Sequence, residues 1–533
     1  MRGWLTIGLL ACVDKAAVTL EAGQDTSTQT VGTDSPVTNP DDTADDTGEV
    51  TGPTGCQRTE DHSLGAQTCA KAVHCTWEGE QLSAFAGYAI AAGQDVDGDG
   101  WEDIVVGAPL YDVQTMTSGL YADGGSVQFI SGGMIGEPDL GRRGHLGGRD
   151  DGDLLGSAVA LIPDLNGDGL AEIAAGARGS AASGESYSGE VLLLMSSLTG
   201  WETDEDHGTL IPTSRWLGER AYSRAGKALT GGIDTDGDGL GELWISGELK
   251  QTSPSSSYEY NAAGRVYRIA GGAESWPEVA SLADADAMID GADSTGGAGL
   301  ALAAEADLDG DGYGDLVIGA PYATGNKGTV YLLAGGPEAW ASPISLADVP
   351  VQLTGDAAGD AYGWTVAVGD VTGDDQPDLA VGAPMSHAAM PDAGLVSIYT
   401  GSPSMLSDAP ELQTRVAGEF DDHQLGTGLA AGRDLTGDGQ GDLVMGAINA
   451  WQGLITKGGR VYVMAGSPAL GEMMSARFAG QQVYGGQVKE YLGRAMALSD
   501  LDADGTAELL IGTGYRNGVN GTDAGGLYLL WGG

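Results

Sequence analysis

The stretch Asp307-Leu-Asp309-Gly-Asp311-Gly312-Tyr-Gly-Asp315-Leu-Val-Ile-Gly-Ala-Pro321 sets oxygen-bearing side chains at its first, third, fifth and ninth positions, a glycine at the sixth, and an apolar run behind them. The same frame returns six times: Asp95, Asp97, Asp99 and Asp103; Asp164, Asn166, Asp168 and Glu172; Asp234, Asp236, Asp238 and Glu242; Asp370, Thr372, Asp374 and Asp378; Asp434, Thr436, Asp438 and Asp442; Asp500, Asp502, Asp504 and Glu508. Successive first positions lie 69, 70, 73, 63, 64 and 66 residues apart. A constant period of this size marks a tandem array, so a length of 533 residues, which would otherwise suggest three or four domains, reads as one repetitive unit.

Seven or eight residues before each loop stands a glycine (Gly87, Gly156, Gly226, Gly299, Gly363, Gly426, Gly493), which leaves room for one short strand. A second strand follows the loop, as at 103–107; a third begins after another glycine, as at 328–333; a fourth ends in glycine, as at 351–355, 415–418 and 476–480. Four short strands per repeat and seven repeats predict an all-β fold, a seven-bladed β-propeller of four-stranded antiparallel blades. The last repeat stops after its third strand, and residues 75–80 match the fourth-strand pattern, so the N-terminal segment is expected to complete the last blade as a 3+1 clasp.

Carboxylates packed this closely repel unless a cation neutralises them, and hard oxygen ligands in this number suit Ca²⁺. The glycine at position 6 permits the tight turn, and position 7 offers a backbone carbonyl. An EF-hand starts alike but ends in a bidentate Glu at position 12; here position 12 holds Val106, Ala175, Ile245, Ile318, Val381, Met445 and Ile511, so a β-hairpin calcium loop is expected instead. The bland alternative, that these side chains only shape Asx turns, accounts for the first position but not for the others. Up to seven calcium ions are expected. The fifth loop departs furthest from the pattern, with Asp375 for the glycine, Thr372 for an acid and Pro377 at the exit.

Composition narrows the function classes. There are 76 Asp and Glu against 24 Lys and Arg, a net charge of −52, which excludes the basic footprint that nucleic acids and anionic membranes need. Of the acids, 25 stand at the loop positions above. Residues 1–12 read as a signal peptide, too short to span a bilayer, whose end Leu9-Leu10-Ala11-Cys12 resembles a bacterial lipobox with Cys12 as the acylated residue. Residues 13–55 form an acidic, disordered tether. Cys56, Cys69 and Cys75 in the segment 56–76 are expected to supply one disulfide of unspecified pairing, and the propeller covers 77–533. An exported protein follows, either a cell-surface or outer-membrane lipoprotein or a secreted one, with membrane contact only through a lipid anchor.

Gly-Ala-Pro at 107–109, 319–321 and 382–384, downstream of the Asp loops, resembles the FG-GAP repeat of integrin α-subunit head propellers. The resemblance implies calcium in the hairpin between a blade's first two strands and ligand recognition on the opposite face. The literal Phe-Gly is absent, and leg domains and a transmembrane helix are not recognisable, so adhesion comes by analogy. The family also includes phospholipases, whose catalysis lies in a separate domain for which this chain has no room. A non-catalytic, monomeric module binding a protein or glycan is therefore expected. Tyr111, Tyr121, Tyr187, Tyr258 and Tyr260, in the linkers between second and third strands, are the candidate contacts. The alternatives are a scaffold without a ligand and, least of all, a propeller hydrolase, because the six histidines fall into no catalytic or metal-ligand spacing.

Overall fold

The computed structural model describes residues 74–78 and 81–533, apart from 115–118, 133–144, 197–200, 202, 204–208, 249–261, 273–275, 409, 469, 472 and 518–521. The signal peptide with Cys12, the tether, Cys56, Cys69, Tyr258 and Tyr260 lie outside the described residues.

Each repeat's Asp loop joins two antiparallel strands, and each pair grows outward into a sheet; there are seven such sheets. Blade 1 is Ala89–Gln94, Asp103–Ala108, Ser126–Ile130 and His145–Gly147, and blade 4 is Ala301–Ala303, Leu316–Ala320, Thr329–Leu333 and Val351–Thr354. In the seventh sheet His74–Glu78 pairs antiparallel along Gly526–Leu530 as the outermost strand. The inner strands of successive blades touch all round, blade 7 meeting blade 1. There Ile104 and Val106 pack with Leu510, Leu527 and Leu529. Second and third strands are buried along their whole length in blade 2, Glu172–Ala177 and Glu190–Leu194. Both faces of each sheet meet a neighbouring blade, so these strands read as unbroken apolar runs without alternation.

The recurring glycine before each first strand has a steric cause. Gly226 sits at φ +81°, and a Cβ there would lie 2.7 Å from the Glu190 carbonyl oxygen and 2.8 Å from Gly176 Cα. Conversely, a Cβ on Gly176 would approach the Gly226 oxygen to 2.0 Å. The glycine of one blade's second strand and the glycine opening the next blade thus meet backbone to backbone.

Blades 2, 3 and 5 each gain a fifth strand that the sequence pattern does not announce. Val279–Ser281 lies parallel to Ser214–Leu217, Ile344–Ser345 to Ala287–Asp290, and Met473–Ser475 to Leu412–Ala417. Each fifth strand comes from the following blade's link between its third and fourth strands, and covers an outer edge that would otherwise expose unpaired backbone groups. This strap corrects one expectation. The segment 476–480 is not the fourth strand of blade 6, because the chain, having paired Met473–Ser475 with blade 5, must turn before its own outer strand. Ala476–Phe478 forms that 3₁₀ turn and Gln481–Tyr484 is the strand. Among the described residues no helix is long and apolar enough to cross a membrane.

Candidate metal loops and the opposite face

In six of the seven loops the first Asp organises the turn. Asp307 accepts from the backbone N–H of Gly310 at 2.7 Å and of Gly312 at 2.8 Å, and Asp95, Asp234, Asp370, Asp434 and Asp500 bond their own turns similarly. The fifth loop keeps this form without its glycine, since Asp375 takes the left-handed conformation at φ +66°, which Asp tolerates better than most residues.

The ninth position ties the hairpin shut. Asp103, Glu172, Glu242, Asp315, Asp378, Asp442 and Glu508 are all buried, and one oxygen of each accepts from the backbone N–H of loop position 2, as Asp103 does from Val96 at 2.7 Å. Where the residue is Asp, its second oxygen accepts from a glycine beyond the third strand: Gly132, Gly335, Gly401 or Gly466. Where it is Glu, the longer side chain turns the second oxygen elsewhere. Glu172 meets Ser196 and Glu242 meets Arg268, whereas Glu508 Oε1 is buried without a hydrogen-bond partner. Burial raises Asp103, Glu172 and Asp315 to about 7 and Glu508 to about 8, against backbone donors that pull the other way.

Oxygens of the first, third and fifth residues converge within 4.8 Å of one another in the first, fourth and seventh loops: Asp95, Asp97 and Asp99; Asp307, Asp309 and Asp311; Asp500, Asp502 and Asp504. In the third loop Asp234, Asp236, Asp238 and Glu242 all join the group. The second loop carries Asn166, whose amide donates to Asp168 at 3.2 Å, and leaves the buried Asp164 Oδ1 unpartnered. In the fifth and sixth loops Thr372 and Thr436 turn inward and donate to Asp378 and Asp442. Convergent carboxylates fit a hard divalent cation, and in the seventh loop the buried Glu508 Oε1 adds an unpaired oxygen beside them. The donor sets rank the first, fourth and seventh loops above the two threonine loops.

The links between second and third strands, and those from one blade to the next, lie at the other end of the blades. There the tyrosine expectation needs correction. Tyr111 is buried and packs with Ala84, Ala108 and Val113 under the short hairpin Val113–Gln114 and Leu120–Tyr121, so it is a core residue. Tyr121 packs partly buried against the same group. Tyr187 is exposed and stacked on Tyr222 with ring centroids 5.9 Å apart. The sequence reading missed a larger cluster: Phe420 and Trp451, 41% and 48% exposed, have ring centroids 5.6 Å apart, and His423 packs against both at 5.0 and 6.0 Å. His423 itself is buried, its ring nitrogens unpartnered, and desolvation reinforced by Arg460 pushes it down to about 4, so it is a neutral member of the cluster near neutral pH. One signal was available: three residues before the blade-opening glycine, other repeats carry Asp153, Asp360 or Glu490 where this one carries histidine.

A family model described as the FG-GAP repeat matches residues 86–129, 155–194, 298–333 and 362–399, which fall in blades 1, 2, 4 and 5. Human phosphatidylinositol-glycan-specific phospholipase D is 29% identical over 310 residues, 51% of this chain and 34% of the relative. Integrin alpha-PS2 of Drosophila melanogaster is 35% identical over 175 residues, 32% of this chain and 12% of the relative. Integrin alpha-7 of Rattus norvegicus is 29% identical over 272 residues, 49% and 21%. The chain thus spans about a third of the phospholipase's length and less of either integrin's.

Proposed function

Because the chain is an integrin-α-like FG-GAP β-propeller, we propose that it is a calcium-stabilised, non-catalytic binding module, exported to the cell surface or beyond, that engages a protein or glycan through the face opposite its Asp loops. The observation that carries this reading is the division of chemistry between the faces: convergent carboxylates in the hairpin loops, and exposed apolar side chains in the links at the other end. The latter include Phe420, Trp451, Tyr187 and Leu454, the last 95% exposed.

Bound calcium would supply the positive charge that lets acids such as Asp307, Asp309 and Asp311 remain ionised side by side. The chain's own residues do the rest. Asp307 fixes the turn through Gly310 and Gly312, and Asp315 holds that turn to the sheet through Leu308 and Gly335. The loops thereby clamp the ends of the first two strands, and the strands carry that rigidity to the links on the far face. Rigid aromatic platforms with one wet edge suit protein or sugar surfaces.

The full chain applied to glycan and matrix-protein arrays in calcium is expected to give a defined set of positives. Phe420→Ala with Trp451→Ala should weaken them about 30-fold or more, the loss typical of anchor residues, with an unchanged melting temperature. Silence on both arrays would favour a scaffold without a ligand. The similarity to a phospholipase does not by itself confer its activity, since most of that protein lies outside the match.

A further inference from the structure

Among the described residues, the third loop is the one in which all four acids converge, and it is also the one that a cation of the protein already enters. Arg268 on the third strand of blade 3, Arg265–Ile269, places Nη2 at 2.6 Å from Asp236 and 2.8 Å from Glu242. The side chain is 5% exposed and its guanidinium carbon lies 6.0 Å from the Trp340 ring centroid. Trp340 comes from the link after the third strand of blade 4, donates its Nε1 to the carbonyl of loop residue Thr235 at 2.9 Å, and packs edge-on against Trp244 at 4.8 Å.

Register shows that this arrangement is peculiar to blade 3. Arg268 stands opposite Trp244. The residues in the same register of the other blades are Phe129, Leu193, Leu332, Ile398, Val463 and Leu529, all apolar. Position 2 of the loop is Thr235 here and Val or Leu in the other six loops. Blade 3 is thus altered together at the cation, at the residue facing it across the strands and at the loop backbone that Trp340 braces. An arginine is permanently charged, and Nη2 of Arg268 donates to both carboxylates, so one positive charge offsets part of the charge of Asp236 and Glu242 from inside the sheet.

We propose that Arg268 takes the place of the metal ion in the third loop, making blade 3 a calcium-independent blade. The inference rests on the reading that the other loops hold calcium, and it removes one of the seven sites that the acid count suggests. Its experiment counts ions on the full chain by equilibrium dialysis against Ca²⁺, comparing equivalent fifth-position changes in two loops. Asp311→Asn in the fourth loop is expected to remove one ion per chain, and Asp238→Asn in the third to remove none. Asn at 238 retains the acceptor that Leu240 N–H uses, so the variant keeps its turn. Arg268→Leu, the side chain several other blades use, is expected to bind one ion more than the parent, to melt lower than it in chelator, and to recover in calcium.

If Asp238→Asn lost an ion as Asp311→Asn does, or if folded Arg268→Leu gained none, the substitution of arginine for metal would be overturned while calcium in the other loops stood. If the parent chain bound no ion at all, the calcium reading would fall and this inference with it. Should Arg268→Leu not fold, the pair of asparagine variants decides alone.

Discussion

Excess chelator is expected to lower the melting temperature of the full chain by about 8 °C at neutral pH. That figure counts only the first, fourth and seventh loops, in which three carboxylates converge. Each site held at about 100-fold above its dissociation constant contributes roughly 2.7 kcal/mol to the folded state, so three contribute about 8 kcal/mol. Unfolding entropy of about 2.1 cal/mol/K per residue over a propeller of roughly 450 residues is close to 1 kcal/mol/K, which converts that sum into the shift. Calorimetry in calcium and in chelator measures it directly. The shift should also depend on pH, with a sign that follows from the buried ninth-position acids. Their folded values of about 7 to 8 lie above the ordinary carboxylate range. The chelated protein therefore holds protons that the unfolded chain has released, is stabilised below about pH 4, and loses that stability as pH rises through about 7. The gap between the calcium and chelator curves should be widest near pH 8 and close on acidification. Superimposed curves at every pH would contradict a structural role for the metal.

The second large effect is steric. Gly226→Ala is expected to destabilise the propeller by roughly 2–5 kcal/mol, measured as a fall in the denaturation midpoint. About 1–2 kcal/mol comes from placing an L residue in the left-handed region and about 1–3 from overpacking against a backbone that cannot yield. Gly184→Ala is the internal control: Gly184 has a similar φ of +85°, but nothing lies within 4 Å of the point its added methyl would occupy. It should cost only the conformational part. Equal losses at both positions would mean that the blade contact through Gly176 and Gly226 is not what the glycines serve.

Blade number, strand order and the hairpin loops were legible because each is set by residues close in sequence: an Asp that bonds its own turn, glycines where backbones cross, apolar strands of five or six residues. What escaped depends on distant pairing. The straps at Val279–Ser281, Ile344–Ser345 and Met473–Ser475 are two or three residues long and pair with the preceding blade, 63 residues away in the contact of Ser214 with Pro277. No local periodicity encodes them. Tyr111 read as a loop aromatic because its burial comes from a hairpin folding over it. Arg268 carries no local signal, since its acids lie 26 and 32 positions earlier and only the register with Trp244 brings them together. The Phe420, His423 and Trp451 cluster escaped for the same reason, being assembled from two different links.

Hydrogen exchange followed by mass spectrometry on the full chain, with and without Ca²⁺, tests the central claim most directly because it reports loop by loop. Calcium is expected to slow exchange across 95–103, 307–315 and 500–508 and to leave 234–242, where Arg268 already sits, unchanged. Uptake identical in all four segments with and without the ion would contradict the account.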